Sequence, residues 1–295
     1  MVTRETLKKF QPKHKHFVGF DSDGCVFDSM ELKHKECFIP NIIKYYKLQS
    51  ISKYAREAAE FVNLYSYWRG ANRFPALTKT FELLAERPEV KARGVSIQDW
   101  TPIQQFIDTT PSLGNPALKD AITKNDDPFL KQLLNWSEAV NRDIEDMVKG
   151  LPPFPLVKES LIKLRGQADT VVVSATPIEA LNREWEEHGI DKFVSVIAGQ
   201  EIGKKEEQLG LTAQGKYSSR HILMVGDALS DLIAARSAGA MFYPIVPGHE
   251  EKSWKIFHDE VINKFLIGRY DTETETQFMH DFEIALPKIA PWQKH

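Results

Sequence analysis

The chain has 295 residues, 42% of them hydrophobic and 27% charged, which is typical of a globular protein and enough for an α/β core with one smaller domain. The chain has 38 Lys and Arg residues and 41 Asp and Glu residues, so it has no excess of basic residues that would indicate a nucleic-acid partner. No segment approaches the run of about 18 apolar residues that a membrane span requires. We therefore expect neither nucleic acid nor membrane among its partners.

Residues 1–16 are polar and rich in Lys and His, without the apolar centre of a secretory signal. We expect them to form a solvated lead-in, including the alternating Lys and His of residues 13–16, and we expect a cytoplasmic protein. Cys25 and Cys37 are too few for a disulfide framework, which fits that location.

The first predicted strand, Phe17–Phe20, breaks abruptly into the carboxylates of Asp21 and Asp23, followed by Gly24. Glycine lets the backbone swing round at this point, so a carboxylate and a neighbouring backbone carbonyl can converge on one cation. The turn is therefore a candidate site for Mg²⁺ and for a nucleophile. Asp-rich turns after strands are common, so the turn alone leaves a purely structural interpretation open.

Residues 31–149 show almost only helical patterns, separated by Pro and Gly, and we predict an all-helical cap domain there. Within it, Arg69 and Arg73 flank a glycine after a helix and could recognise an anionic or sugar-like substrate group. The alternative is an ordinary helix end with solvent-facing arginines. The predicted helices are 32–46, 54–68, 75–86, 97–108, 115–125 and 128–149.

From residue 150 onward, apolar runs alternate with helical patterns, as in a doubly wound α/β fold with a parallel sheet. We predict a core of residues 1–30 and 150–295, with the last two helices packed back on it. The remaining predicted strands are 170–174, 194–198, 221–225 and 241–246. The predicted helices are 155–167, 178–188, 205–211, 230–237, 253–268 and 273–286.

Two of these later strands also end in polar residues. One runs into Ser174 and the other into Gly226 and Asp227, with Asp231 four residues further on. Ligands of such sheets bind beyond the carboxyl ends of the strands, so these side chains are expected to meet Asp21 there.

In chain order, these motifs resemble those of the haloacid dehalogenase-like superfamily, whose members are mostly phosphatases with a Rossmann-like core. The tail of the first motif, Asp28 and Ser29, resembles the branch that contains phosphoglycolate phosphatase and β-phosphoglucomutase. A helical cap after the first motif is similar to the cap that many members carry. The four matching motifs are Asp21-Ser22-Asp23-Gly24, Ser174, Lys205, and Gly226-Asp227 with Asp231.

The resemblance implies a role for each of these residues. Asp21 would attack phosphorus, and Asp23 would first protonate the leaving oxygen and then activate water. Mg²⁺ would be held by the Asp21 carboxylate, the Asp23 carbonyl and Asp227. Ser174 and the Ala175 amide would bind phosphoryl oxygens. Lys205, with Lys204 as the alternative, would compensate their negative charge. Asp231 would orient Lys205 or metal-bound water.

These roles predict a phosphatase that acts on a small phosphorylated metabolite. A phosphosugar mutase would use the same Asp21 and Asp23 pair, and a non-catalytic member that binds a phosphorylated ligand is a further alternative. Asp23 distinguishes the pattern from that of dehalogenases, which resemble it but lack an acid at this position. The identity of the substrate and the oligomeric state remain open at this point.

Overall fold

The computed structural model describes residues 2–293. Within them, five parallel strands form one sheet in the order β3-β2-β1-β4-β5. The strands are β1 (His16–Phe20), β2 (Ala168–Val173), β3 (Val196–Ala198), β4 (Ile222–Gly226) and β5 (Met241–Pro244). The predicted α/β class and each predicted strand are confirmed, with ends that differ by one or two residues.

The central strand β1 pairs with β2 on one side and β4 on the other. All residues of β1, β2 and β4 are buried, as expected for apolar strands of a parallel sheet that is covered on both faces. The strand order matches that of a doubly wound sheet.

The described residues divide into two compact units, a core unit of residues 2–30 with 150–286 and a helical unit of residues 31–149 with 287–293. Residues 287–293 thus group with the helical unit, whereas the sequence pattern assigned them to the core. Aromatic contacts explain the difference, because Trp292 lies against Phe61 and its ring is covered by the Arg87 guanidinium.

Helices of the core unit follow the strands as the alternation predicts. The expected solvated lead-in is instead a short helix, in which Leu7 is buried. Its end is held by the Lys216 ammonium, which donates to the carbonyls of Leu7, Lys8 and Phe10. The helices are Arg4–Lys8, Val157–Leu164, Ile178–Glu187, Asp191–Phe193, Gln200–Ile202, Lys205–Thr212, Ser219–His221, Leu229–Ser237, Glu250–Ile256, Phe257–Val261 (π), Ile262–Leu266 and Thr272–Ala285.

All regular structure described between residues 31 and 149 is helical. Its apolar core is built around Trp136 and Phe81. No helix in the described part of the chain is long and apolar enough to cross a membrane. The helices are Ser29–Leu32, Lys33–Phe38 (π), Ile39–Tyr45, Gln49–Ile51, Ser52–Leu64, Arg73–Glu86, Pro88–Ala92, Thr101–Thr109, Asn115–Asn125 and Pro128–Met147, and Pro291–Gln293 follows near the C-terminus.

The turn after β4 requires a glycine at its first position. A Cβ on Gly226 would lie 2.4 Å from the Cβ of Asp231 and 2.5 Å from its Cγ. Asp231 Oδ2 accepts the backbone N–H groups of Asp227 and Ala228, at 3.2 and 3.0 Å. The Asp231 carboxylate therefore links the end of β4 to the following helix, and it has room to do so because residue 226 is a glycine.

We predict that Gly226→Ala lowers the free energy of unfolding by about 1–3 kcal/mol, because the added methyl group overpacks this turn. Urea denaturation provides the measurement. The matched control is Gly210→Ala in the helix Lys205–Thr212, where the new Cβ meets only Gln214 Oε1 at 3.6 Å. Helix propensity predicts stabilisation by about 0.5–1 kcal/mol there. Equal stability of the two variants would contradict the prediction.

His16, which opens β1, is buried rather than solvated, with 7% of its surface exposed. Its ring packs edge-to-face on His221, with centroids 4.8 Å apart. Nε2 is buried and has no hydrogen-bond partner among the described residues. Burial, and secondarily the neighbouring His221, lower the pKa of His16 below its ordinary 6.5.

Because the folded state keeps His16 neutral, the unfolded chain binds more protons just below pH 6.5. We therefore predict that the free energy of unfolding falls as the pH is lowered through that value. Urea denaturation across this range should show a smaller pH dependence for His16→Phe, which cannot bind the proton. Gln277→Ala, at an exposed residue that does not titrate, should keep the wild-type dependence. An unchanged slope in His16→Phe would refute this assignment.

Candidate active site

The strand register brings three predicted site residues to one edge of the sheet. Phe20, the last residue of β1, pairs with Val172 of β2 and with Val225 of β4. Ser174 and Asp227 therefore each lie one position further along the sheet than Asp21, on the two strands that flank it. The carboxyl ends of parallel strands thus place these residues together.

A buried ion-pair cluster occupies this edge. Lys205 Nζ lies 2.9 Å from Asp21 Oδ2 and 2.6 Å from Asp231 Oδ1. One carboxylate oxygen from each of Asp21, Asp227 and Asp231 lies within 4.8 Å of the others. Lys204 is exposed, so Lys205 is the lysine that reaches the carboxylates.

Burial and charge change the ionisation of this cluster. Burial alone would lower the pKa of Lys205, but the carboxylates of Asp21 and Asp231 outweigh it and raise that pKa above its usual value. The side chain is therefore an ammonium ion.

Burial also raises the pKa of Asp21 well above its ordinary value. Lys205 opposes this shift, whereas the carboxylates of Asp231 and Asp227 add to it. Burial therefore disfavours the ionised form of Asp21, and further positive charge at the cluster would favour it.

The donor set fits a hard divalent cation. The three buried side chains offer only carboxylate oxygens, the ligands that Mg²⁺ prefers. When all are ionised, their three negative charges exceed the single positive charge of Lys205 by two, which is the charge of such an ion. Asp231 already accepts hydrogen bonds from Lys205 and from two backbone N–H groups, so Asp21 and Asp227 are the better placed ligands.

The turn after β1 positions Asp23. Gly24 adopts φ +76°, and three backbone N–H groups of residues 25–27 donate to the carbonyl of Ser22. The carboxylate of Asp23 accepts hydrogen bonds from Ser29 Oγ and, at 2.6 Å, from Thr176 Oγ1. Thr176 is a site residue that the sequence motifs did not single out. In the sequence, only its position points to the site, because Thr176 lies two residues after Ser174 and is the second hydroxyl residue at the end of that strand.

The turn after β2 also has a defined conformation. Ser174 is buried, and its Oγ accepts the N–H of Thr176 at 3.2 Å. Ala175, between them, is exposed. Its methyl side chain offers no polar group to a ligand at this turn.

The two arginines singled out in the sequence lie in the helical unit. Arg69 is buried, with 4% of its surface exposed, and its Nη1 donates to the Leu64 carbonyl at 2.8 Å. Arg73 donates through Nη1 to Ser137 and Asn141 and lies over the Phe38 ring. Neither side chain is a freely solvated helix end.

Comparison with known proteins provides independent information. Residues 100–245 match the family model described as haloacid dehalogenase-like hydrolase. This range contains Ser174, Lys205, Asp227 and Asp231 but begins after Asp21, so the structure is what joins the first motif to the others.

Curated relatives include the phosphoglycolate phosphatases of Vibrio parahaemolyticus and Vibrio cholerae. The first is 26% identical over 162 residues, 47% of this chain and 71% of the relative. The second is 30% identical over 103 residues, 32% of this chain and 45% of the relative. The chain therefore spans less than half the length of the second relative.

Among solved structures, similar chains include a haloacid dehalogenase-like family hydrolase from Streptococcus pneumoniae. It is 14% identical, the TM-score is 0.44, and the alignment covers 85% of this chain and 98% of that one. A subfamily IA hydrolase from Geobacter sulfurreducens is 16% identical with a TM-score of 0.40, covering 80% and 89% of the two chains. The family match and the curated relatives thus show that residues 100–245, about half of this chain, are similar to the haloacid dehalogenase-like hydrolase family.

Proposed function

We propose that the protein is a Mg²⁺-dependent phosphatase that hydrolyses a small phosphorylated metabolite through an aspartyl-phosphate on Asp21. The observation that carries the proposal is the contact of the Lys205 ammonium with Asp21, 2.9 Å apart, inside a buried group of carboxylates. The names of the curated relatives support phosphate release rather than transfer within a sugar. Release of free orthophosphate would distinguish hydrolysis from the mutase alternative.

Charge explains why such a reaction needs this cluster. A carboxylate that approaches a phosphate dianion at 4 Å meets a repulsion of about 8 kcal/mol at an effective dielectric constant near 20. The Lys205 ammonium offsets part of that repulsion and stabilises the phosphoryl oxygens as their charge redistributes. Its contact with Asp231 fixes its position before substrate binds.

The residues divide the chemistry into two steps. In the first, an Asp21 oxygen forms a bond to phosphorus while the bond to the leaving oxygen breaks, and Asp23 gives its proton to that oxygen. In the second, Asp23 takes a proton from water, whose oxygen attacks phosphorus and releases Asp21 and orthophosphate. Thr176 and Ser29 orient the Asp23 carboxylate for both transfers.

Mg²⁺ would be bound by the carboxylates of Asp21 and Asp227 and by the backbone carbonyl of Asp23. When bound, the ion supplies positive charge that neutralises the substrate and the carboxylates. Ser174 and the amide of Ala175 would bind phosphoryl oxygens in the turn after β2.

The substrate itself is proposed only as a class. Phosphoglycolate is the first compound to test, because it is the substrate in the names of the curated relatives. A panel of phosphorylated metabolites, scored by released orthophosphate in the presence of Mg²⁺, would compare the rate of hydrolysis of phosphoglycolate with the rates for other compounds.

We predict that Asp21→Asn abolishes hydrolysis of p-nitrophenyl phosphate, because an amide cannot replace the attacking carboxylate. The loss in kcat should be at least about 10³-fold, with an unfolding temperature that stays close to that of the wild type. The matched control is Asp281→Asn at an exposed position, which should keep full activity. Turnover retained by Asp21→Asn would end the assignment of this residue as nucleophile.

Arg69 and Arg73 remain proposed specificity residues. We predict that Arg69→Ala raises KM for the true substrate but leaves KM for p-nitrophenyl phosphate unchanged, because only the former has a second group to recognise. The control is Arg93→Ala, an exposed arginine of the same unit, which should alter neither value. Equal effects of Arg69→Ala on both substrates would refute the specificity role.

A further inference from the structure

Two turns of the site come from different strands and need a common support. One follows β2 and contains Ser174 and Thr176, and the other runs from Gly199 to Lys205 after β3. They approach closely, since a Cβ on Gly199 would lie 2.8 Å from the Thr176 carbonyl oxygen. A small relative movement of the turns would therefore separate the phosphoryl-binding groups from the lysine.

One side chain, Gln208, bonds to both turns. Its Oε1 accepts the N–H of Ser174 at 3.0 Å, and its Nε2 lies 2.8 Å from the Ser174 carbonyl. The same Nε2 lies 3.0 Å from the carbonyls of Gly199 and Gly203, at the two ends of the second turn before the helix. All the bonds of this amide thus go to the backbone of the two turns.

Gln208 also lies on the helix that carries the lysine, Lys205–Thr212. It follows Lys205 by three residues, a spacing that places both side chains on the same face of a helix. Gln208 is completely buried, and Lys205 is nearly so. One turn of helix therefore positions the ammonium ion and the support for the Ser174 turn together.

The chemistry of the amide suits this position better than that of any charged or apolar side chain of similar size. An amide combines an acceptor for one N–H with donors for carbonyl groups. A glutamate would keep the acceptor but would direct a second, negatively charged oxygen at three carbonyl oxygens. A leucine would leave these buried polar backbone groups without this hydrogen-bond partner.

We propose that Gln208 is a positioning residue that holds the turn of Ser174 in register with Lys205, so that both reach the same phosphoryl group. This inference rests on the proposed function and extends it, since Gln208 belongs to none of the sequence motifs. It acts through the two turns and does not itself touch the substrate.

The test compares Gln208→Glu with Thr212→Val in the full-length protein with Mg²⁺ and p-nitrophenyl phosphate. Thr212 is equally buried, one helical turn further on, and its hydroxyl bonds only to the helix backbone. Gln208→Glu should lower kcat/KM by about 10- to 100-fold and weaken inhibition by inorganic phosphate, because both turns lose their alignment. Thr212→Val should change stability but neither of these values.

Each measurement is made at a temperature at which the variant is folded, so that a loss of stability alone does not lower the rate. Wild-type kinetics for Gln208→Glu would overturn the inference, and so would equal losses in both variants. An inactive wild-type protein would instead refute the proposed function. The failure of the Gln208 inference and the failure of the proposed function therefore give different results.

A measurement on the wild-type protein covers the case in which the Gln208 variant does not fold. The side-chain amide signals of Gln208 in a ¹⁵N–¹H spectrum should exchange slowly with solvent, and should shift when inorganic phosphate is added with Mg²⁺. A shift of the Lys205 backbone amide signal reports binding at the site. If that signal shifts and the Gln208 amide does not, the coupling proposed here is wrong.

Discussion

The site depends on one electrostatic constraint, the burial of three carboxylates around a single ammonium ion. Asp21 and Asp231 pair with Lys205, Asp227 offers a carboxylate oxygen within 4.8 Å of both, and each of the three is at least nine-tenths buried. Such a group is stable only when its excess negative charge is met by protons or by a bound cation. The same excess of negative charge supports the proposed binding of a divalent cation at this cluster.

The fold meets this constraint with short connections. Asp21 and Asp227 follow directly on paired strands, and Asp231 is held by the first turn of the next helix. Because these three carboxylates adjoin strand ends or lie in the first turn of a helix, the backbone fixes their positions. Gly226 is part of this arrangement, because its missing side chain is what allows Asp231 to approach the strand end.

Most strands of the core and most residues of the candidate site were predictable from the sequence, because they depend on local patterns of residues. Continuous apolar runs indicate buried parallel strands, and the resemblance to the family's motif spacing favoured Lys205 over Lys204. Contacts between side chains far apart in the chain leave no such pattern. The bond from Thr176 to Asp23, the role of Gln208 as a bridge, and the packing of Trp292 on Arg87 all required coordinates. The burial of His16 was missed for the same reason, since its neighbour His221 is distant in sequence.

The central place of β1 in the sheet has a consequence for biosynthesis. This strand is made first, yet its partners begin only at Ala168 and Ile222, after the whole helical segment. At about 5–20 residues per second, a ribosome needs roughly seven to thirty seconds to reach the first partner. During that interval this apolar strand, which leads into Asp21, has no partner strand with which to form backbone hydrogen bonds.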